Sequence, residues 1–157
     1  MSKTAHLATI LVAGLALLPA APAVGDEVGF DWLSYEEGLA AAAESGRIIL
    51  VDFHADWCKY CKKMDKETFA EPGVIRRIGE SFVAVSVDTQ KDPATAQKYG
   101  VRSLPTIWFL DGDGTPLAPL PGFVAAPMFR DILDYMSSRS FESMSFDDYL
   151  QKGTEAP

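Results

Sequence analysis

The chain has 157 residues, of which 48% are hydrophobic and 23% are charged, a composition typical of one globular domain. Its formal net charge of −8 argues against a nucleic-acid partner, because an acidic protein does not accumulate at a phosphate backbone. The cysteines Cys58 and Cys61 are too few for a disulfide-rich scaffold or for a four-cysteine zinc site.

The first residues have the features of an export signal. Lys3 precedes an apolar run over residues 7–18, and Ala21-Pro22-Ala23 forms a typical cleavage pattern. The apolar run is shorter than the ~20 residues that a membrane-spanning helix needs. We therefore predict that residues 1–23 are a signal peptide, that the mature protein is located in a bacterial periplasm, and that it is not inserted in the membrane after cleavage.

The remaining chain is divided into a lead-in segment at 24–33, a domain at 34–140, and a tail with one short helix at 141–157. A capping-box pattern at Ser34 begins the first helix, which is predicted to end near Gly46. The later helices are predicted at residues 56–69, 74–81, 93–99 and 127–136. The strands are predicted at residues 47–53, 82–88, 106–110 and 117–120.

This order of elements predicts an α/β fold with a central mixed β-sheet flanked by helices on both faces. The run at 47–53 is continuously apolar, which is typical of a central strand that is covered on both faces. Residues 111–114 are predicted to form a tight turn into the last strand. A calcium loop is excluded because the segment lacks the further ligands that such a loop needs.

The Cys58-Lys59-Tyr60-Cys61 segment follows a predicted strand and opens a predicted helix. Free N–H groups at a helix start favour a negative group, so we expect Cys58 to have a lowered pKa and to attack as a thiolate. Cys61 lies one turn later and is placed to attack the resulting mixed disulfide. A purely structural disulfide is the alternative, and it fits poorly because so short a ring removes little chain entropy.

Two other uses of the cysteine pair do not fit the sequence. Covalent haem attachment would need a histidine directly after Cys61, where the chain has Lys62. A zinc site would need two more ligands in tetrahedral positions. We therefore expect no metal and no cofactor other than the redox-active disulfide.

Two segments carry a family resemblance. Residues 51–62 resemble the active-site segment of the thioredoxin family, and residues 98–106 resemble its second conserved segment. The resemblance covers residues 45–137 and implies a thioredoxin-like fold. Residues 66–74 and 104–112 are more similar to one branch, the C-terminal periplasmic domain of DsbD-type membrane electron conductors and its stand-alone relatives, which mostly act as thiol–disulfide reductases.

The resemblance also implies roles for particular residues. Cys58 would be the nucleophile, Cys61 the resolving thiol, and Pro105 a cis-proline that presents the Leu104 backbone to a bound peptide strand. Asp52 matches the buried acid of the family, which relays a proton as Cys61 becomes nucleophilic.

The sequence also departs from the thioredoxin pattern. Ala84 stands where thioredoxin has a lysine partner for the buried acid, and His54 stands where the family usually has a tryptophan. Trp57 is expected either to contact the substrate or simply to pack. Tyr60 and Phe123 are expected to form an apolar rim around the nucleophile.

These observations predict an exported thiol:disulfide oxidoreductase that works chiefly as a monomeric reductant of protein disulfides. The resemblance implies that electrons return from a membrane reductant of the DsbD or CcdA kind. Two alternatives stay open. The enzyme could instead donate disulfides as an oxidase, or the chain could be a non-enzymatic partner whose interface is switched by the redox state of the cysteine pair.

Overall fold

The computed structural model describes residues 29–155, so the predicted signal peptide lies outside the described residues. The strands span Ile48–His54 (β1), Phe82–Asp88 (β2), Thr106–Leu110 (β3) and Pro116–Pro121 (β4). The α-helices span Tyr35–Ser45 (α1), Lys59–Met64 (α2), Pro72–Ser81 (α3), Pro93–Lys98 (α4), Ala126–Ser137 (α5) and Phe146–Glu155 (α6). Helix α2 continues as a π-helical turn over Asp65–Phe69, and a short 3₁₀ turn over Ser140–Glu142 precedes α6.

The four strands form one sheet in the order β2-β1-β3-β4. β1 and β2 are parallel, whereas β3 is antiparallel to both β1 and β4. The predicted mixed sheet is therefore confirmed, with β1 in its interior. β4 lies at an edge of the sheet and contains Pro116, Pro119 and Pro121. Proline cannot donate a ladder hydrogen bond, and an edge strand tolerates this because one of its sides has no partner strand.

The alternation of side chains along β1 divides the core into two layers. Ile49, Val51 and Phe53 join the apolar cluster that includes residues of α1 and β2. Ile48 and Leu50 point to the opposite face and join the cluster that includes residues of α2, α3 and α5. Every residue of β1 except the last is buried, as predicted for a central strand.

Helix α1 follows the local signals in its sequence. Ser34 accepts a hydrogen bond from the Glu37 N–H, and the Glu37 carboxylate accepts one from the Ser34 N–H, which completes the predicted capping box. Gly46 ends the helix with a left-handed φ of 69°. Within the helix, Gly38 lies against Val85 so closely that a Cβ atom would overlap a Val85 methyl group.

Helix α2 begins three residues later than predicted, at Lys59 instead of residue 56. The Cys58 N–H donates to the Ala55 carbonyl at 3.0 Å and closes a turn, while Cys58 itself keeps an extended backbone. Asp56 and Trp57 therefore lie in the turn before the helix. This start matters because it makes Cys58 the N-cap residue of α2.

The last residues of the lead-in segment contact the sheet. The Leu33 N–H donates to the Ala84 carbonyl, and the Ser86 N–H donates to the Leu33 carbonyl, both at 3.0 Å. This single parallel bridge covers part of the outer edge of β2. The neighbouring Trp32 ring lies 5.1 Å from the Phe69 ring, edge to face. Among residues 29–155, we find no helix with the length and apolar character needed to cross a membrane.

Candidate redox site

Cys58 and Cys61 form a disulfide at the start of α2, with their Cα atoms 5.3 Å apart. The Cys61 N–H donates a hydrogen bond of 3.1 Å to the Cys58 Sγ, so the sulfur itself caps the helix. When the disulfide is reduced, the same donor and the helix dipole favour negative charge on the Cys58 sulfur. Lys59 and Lys62 are exposed on the same turn and add positive charge nearby.

The disulfide is almost covered in this structure. Cys58 is 3% exposed and Cys61 is 4% exposed. Both pack in a small cluster with Ala55, and Leu104 lies against this cluster. Leu104 is itself only partly buried, so this part of the cover is in contact with solvent.

The peptide bond between Leu104 and Pro105 is cis, which confirms the cis-proline that the sequence predicted. The Pro105 carbonyl accepts a hydrogen bond of 2.8 Å from Gly122, whose φ is 90°. The Thr106 hydroxyl donates to the Ser103 carbonyl at 2.8 Å on the other side of the proline. These bonds hold the Leu104–Pro105 loop in place without using the main chain of Leu104.

Asp52 lies on the same face of β1 as Leu50 and is 5% exposed. Its Oδ1 atom is buried and has no hydrogen-bond partner within residues 29–155. Burial raises the pKa of Asp52 to about 7, because desolvation penalises the charged form, and the negative charge of Asp65 adds to this effect. Asp52 can therefore both accept and release a proton near neutral pH.

A pocket of about 290 Å³ lies beside this carboxyl group. The side chains that line it are Trp32, Asp52, His54, Asp65 and Ser86. The His54 Nε2 atom lies 2.9 Å from the Ser86 hydroxyl oxygen, within hydrogen-bond distance. The pKa of Asp65 is raised because of burial, although the nearby His54 partly opposes this shift.

Three residues of this pocket were not selected from the sequence. Asp65 follows Cys61 by four residues, so helical spacing could have placed it on the same side as Cys61. Ser86 and Trp32 carried no such signal. They reach the pocket only because β2 pairs with β1 and the lead-in segment crosses the edge of β2.

The residues predicted to contact substrate differ in how far they are exposed to solvent. Trp57 is 68% exposed and Tyr60 is 58% exposed, so both present aromatic surface to solvent on either side of Cys58 in the chain. Phe123 is partly buried against the core cluster of α2, α3 and α5. The Lys63 ammonium lies 4.3 Å from the centre of the Phe123 ring, which joins the last turn of α2 to the segment after β4.

A metal-binding role finds no support in the part of the chain that the structure describes. No cluster of three or more histidine, cysteine or acidic residues there is arranged to hold an ion. The acidic turn at residues 111–114 has another function. Asp111 accepts hydrogen bonds of 3.1 and 3.0 Å from the Arg139 guanidinium, which ties the turn to the end of α5.

The family model for a thioredoxin-like domain matches residues 35–137. The chain belongs to the thioredoxin-like family. It is also 35% identical over 111 residues to the thiol:disulfide interchange protein DsbD of Photorhabdus laumondii, an alignment that covers 68% of this chain and 19% of that protein. The DsbD of Escherichia coli K12 is 34% identical over 99 residues, covering 60% and 18% of the two chains. The chain thus spans less than a fifth of these curated relatives.

Solved structures agree with this assignment. A thioredoxin from Thermus thermophilus superposes with a TM-score of 0.63 and 30% identity, covering 69% of this chain and 87% of that one. The oxidised C-terminal domain of Neisseria meningitidis DsbD gives a TM-score of 0.52 and 27% identity, covering 66% and 97%. Family membership and the disulfide at the start of α2 together support a role in thiol–disulfide redox chemistry.

Proposed function

We propose that this chain is an exported thiol:disulfide oxidoreductase that reduces disulfides in other proteins. Cys58 is the nucleophile and Cys61 is the resolving thiol. The observation that carries this proposal is the hydrogen bond from the Cys61 N–H to the Cys58 sulfur at the start of α2. It favours the thiolate at Cys58, which is the attacking species in disulfide exchange.

The reaction has two exchange steps. The Cys58 thiolate attacks one sulfur of the substrate disulfide, and the other substrate sulfur leaves with the electron pair and takes up a proton. Cys61 then gives its proton to Asp52 and attacks the Cys58 sulfur, which releases the second substrate thiolate. The enzyme disulfide has formed at the end, and two electrons have moved to the substrate.

The substrate binds along the cis-proline loop. The main chain of Leu104 makes no hydrogen bond within residues 29–155, so its N–H and C=O groups are available to an extended peptide. The exposed rings of Trp57 and Tyr60 provide apolar contact area around the pair, and the partly buried Phe123, which lies against Lys63, contributes to the same rim. Leu104 must shift to let the substrate sulfur reach Cys58.

The likeness to DsbD supports both the direction of electron flow and the location. In this proposal, the protein acts as a monomer in the periplasm after its signal peptide has been removed. A membrane reductant of the DsbD or CcdA kind reduces the Cys58–Cys61 disulfide again. No metal or further cofactor takes part in either exchange.

The exchange chemistry is tested by trapping. We expect the Cys61→Ser variant, reduced and then mixed with oxidised periplasmic proteins, to form covalent adducts through Cys58 that a dithiol reductant releases. The matched Cys58→Ser variant should form far fewer adducts, because Cys61 lies inside the helix and lacks the N-cap hydrogen bond that favours the thiolate at Cys58. Absence of adducts with both variants would contradict the proposal.

The direction of electron flow needs a separate measurement. The reduction potential of the Cys58–Cys61 pair can be obtained by equilibrating the protein with glutathione at defined ratios. A value close to the about −270 mV of thioredoxin would support a reductase. A value close to the about −120 mV of a strong oxidant would favour disulfide donation instead.

A further inference from the structure

The pocket beside Asp52 also contains His54, which the two exchange steps do not use. It contains a buried carboxyl oxygen without a partner and, at the end of β1, an imidazole held by a serine hydroxyl. Asp52 is 5% exposed, whereas His54 is only partly buried. The pocket therefore joins a group that solvent does not reach to a group that solvent does reach.

The spacing along β1 sets the distance between these two groups. Asp52 and His54 are two residues apart on one strand, so their side chains share a face and their Cα atoms lie about 7 Å apart. No hydrogen bond joins the two side chains in the described part of the chain, so a proton that passes between them travels through water in the pocket. At about 290 Å³ and with several polar groups in its wall, the pocket has room for such water.

The pocket also reaches the helix that carries the resolving cysteine. Asp65 lines the pocket and follows Cys61 by four residues, and its N–H donates to the Cys61 carbonyl. The two residues therefore lie on the same side of the helical segment. The negative charge of Asp65 also acts on Asp52, which places the two carboxyl groups within electrostatic range of each other.

Three carboxyl groups lie around His54. Asp52 on β1, Asp65 on the π-helical turn and Asp88 on β2 all lie near it, and Asp88 is also paired with Lys91 at 3.0 Å. The imidazole therefore lies within electrostatic range of the Asp65 and Asp88 carboxyl groups. The other two residues that line the pocket are Trp32 and Ser86, which carry no charge.

We propose that His54 is a positioning residue that acts through Asp52. It takes the proton from the buried carboxyl group by way of water in the pocket and passes this proton to solvent. This inference depends on the proposed function. During resolution the proton of the Cys61 thiol moves to Asp52, and the sulfur of Cys61 displaces the substrate sulfur from Cys58. Transfer of that proton through His54 returns Asp52 to its charged form and involves no further electrons.

A disulfide reagent with two coloured leaving groups separates the relevant steps. Reduced protein is mixed rapidly with dithio-bis-nitrobenzoate, so that attack by Cys58 releases the first coloured thiolate and resolution by Cys61 releases the second. We expect His54→Gln to slow the second release about tenfold, with little change in the first. This is less than the roughly 100-fold or more of a direct general acid or base, because His54 acts through Asp52. Free imidazole in the buffer should restore much of the second rate, which a purely structural role of His54 would not allow.

Two further variants define the result. Asp52→Asn should slow the second release at least as much as His54→Gln and should not respond to imidazole, while Asp111→Asn at the other end of the sheet should leave both releases unchanged. If His54→Gln does not fold, Ser86→Ala provides the second test, because loss of the hydrogen bond to the imidazole should slow the second release by about two- to threefold.

The possible failures are distinguishable. A second release that is unchanged in His54→Gln but slow in Asp52→Asn would overturn the role of His54 and leave the proposed function intact. A slow second release in His54→Gln that imidazole does not restore would also overturn that role. A wild-type protein that releases neither thiolate would contradict the proposed function itself.

Discussion

Asp52 and Asp111 lie at opposite ends of the sheet and differ in almost every respect. Asp111 follows β3 at the end remote from the disulfide, and two hydrogen bonds from Arg139 lower its pKa from the usual value, with the Gly112 N–H as a further donor. Asp52 lies near the disulfide end, buried and without a partner for Oδ1, and its pKa is raised to about 7.

The carboxylate of Asp111 therefore stabilises the folded protein, whereas the charged form of Asp52 destabilises it. Arg139 is held by both Asp111 and Glu142, so the polar groups at that end of the molecule are satisfied. At the other end, an acid in an apolar strand destabilises the charged folded protein, because nothing compensates its lost hydration. Such a cost is typical of functional sites, where a proton must be exchanged near neutral pH.

The largest effect is expected for Asp52→Asn. The pKa of Asp52 is raised from 3.8 to about 7 in the folded protein, so the folded state binds the proton more tightly and wild-type stability falls as pH rises from about 4 to 7. Asparagine has no such dependence. We expect the oxidised variant to be more stable than oxidised wild type by roughly 4 kcal/mol above pH 7 and nearly equal to it below pH 4.

Urea unfolding of both oxidised proteins at a series of pH values measures this difference. Keeping the disulfide oxidised in both proteins removes differences that arise from the cysteines. A variant that is less stable than wild type at pH 8 would show that Asp52 has a stabilising partner, and the comparison with Asp111 would then fail.

Asp111→Asn should have a smaller effect of the opposite sign. The substitution removes the charge of Asp111 from a partly exposed ion pair with Arg139. We expect it to lower the free energy of unfolding at pH 7 by about 1 kcal/mol. Because the pKa of Asp111 is lowered, the wild-type advantage should be present above the unfolded pKa and should disappear as pH falls below it. The same urea experiments measure this effect, and equal stabilities at pH 7 would mean that the Arg139 pair contributes nothing.

Local sequence signals were sufficient for much of the fold. β2 and β3 have the predicted bounds, and the capping box and Gly46 delimit α1 as expected. Each of these features depends on residues close together in the chain. The start of α2 was predicted three residues too early, because the N-cap role of Cys58 depends on a turn that helical periodicity does not reveal.

The candidate site shows the same limit. The cysteine pair and the cis-proline were identifiable as short motifs. Asp52 was identifiable from its position before Cys58. The pocket beside Asp52 was not, because Trp32, Ser86 and Asp65 come from three separate segments. Only strand pairing and helix packing bring such residues together, and a single sequence carries little information about those contacts.

Glu71→Gln provides the smallest test of how well carboxylates outside the redox site are satisfied. Burial alone would raise the pKa of Glu71, but the N–H groups of Gly73 and Val74 and the Arg130 guanidinium outweigh it and lower the pKa. Glutamine can still cap α3, so only the charge is lost, and we expect a decrease in melting temperature of about 1 °C at low salt. The decrease should vanish at high salt, where the charge is screened. It should also vanish as pH falls through the lowered pKa of Glu71, where protonation removes the charge. A decrease that persists in high salt would mean that Glu71 acts through the geometry of its hydrogen bonds and not through its charge. The stability of Asp111→Asn would then also have to be measured at low and high salt.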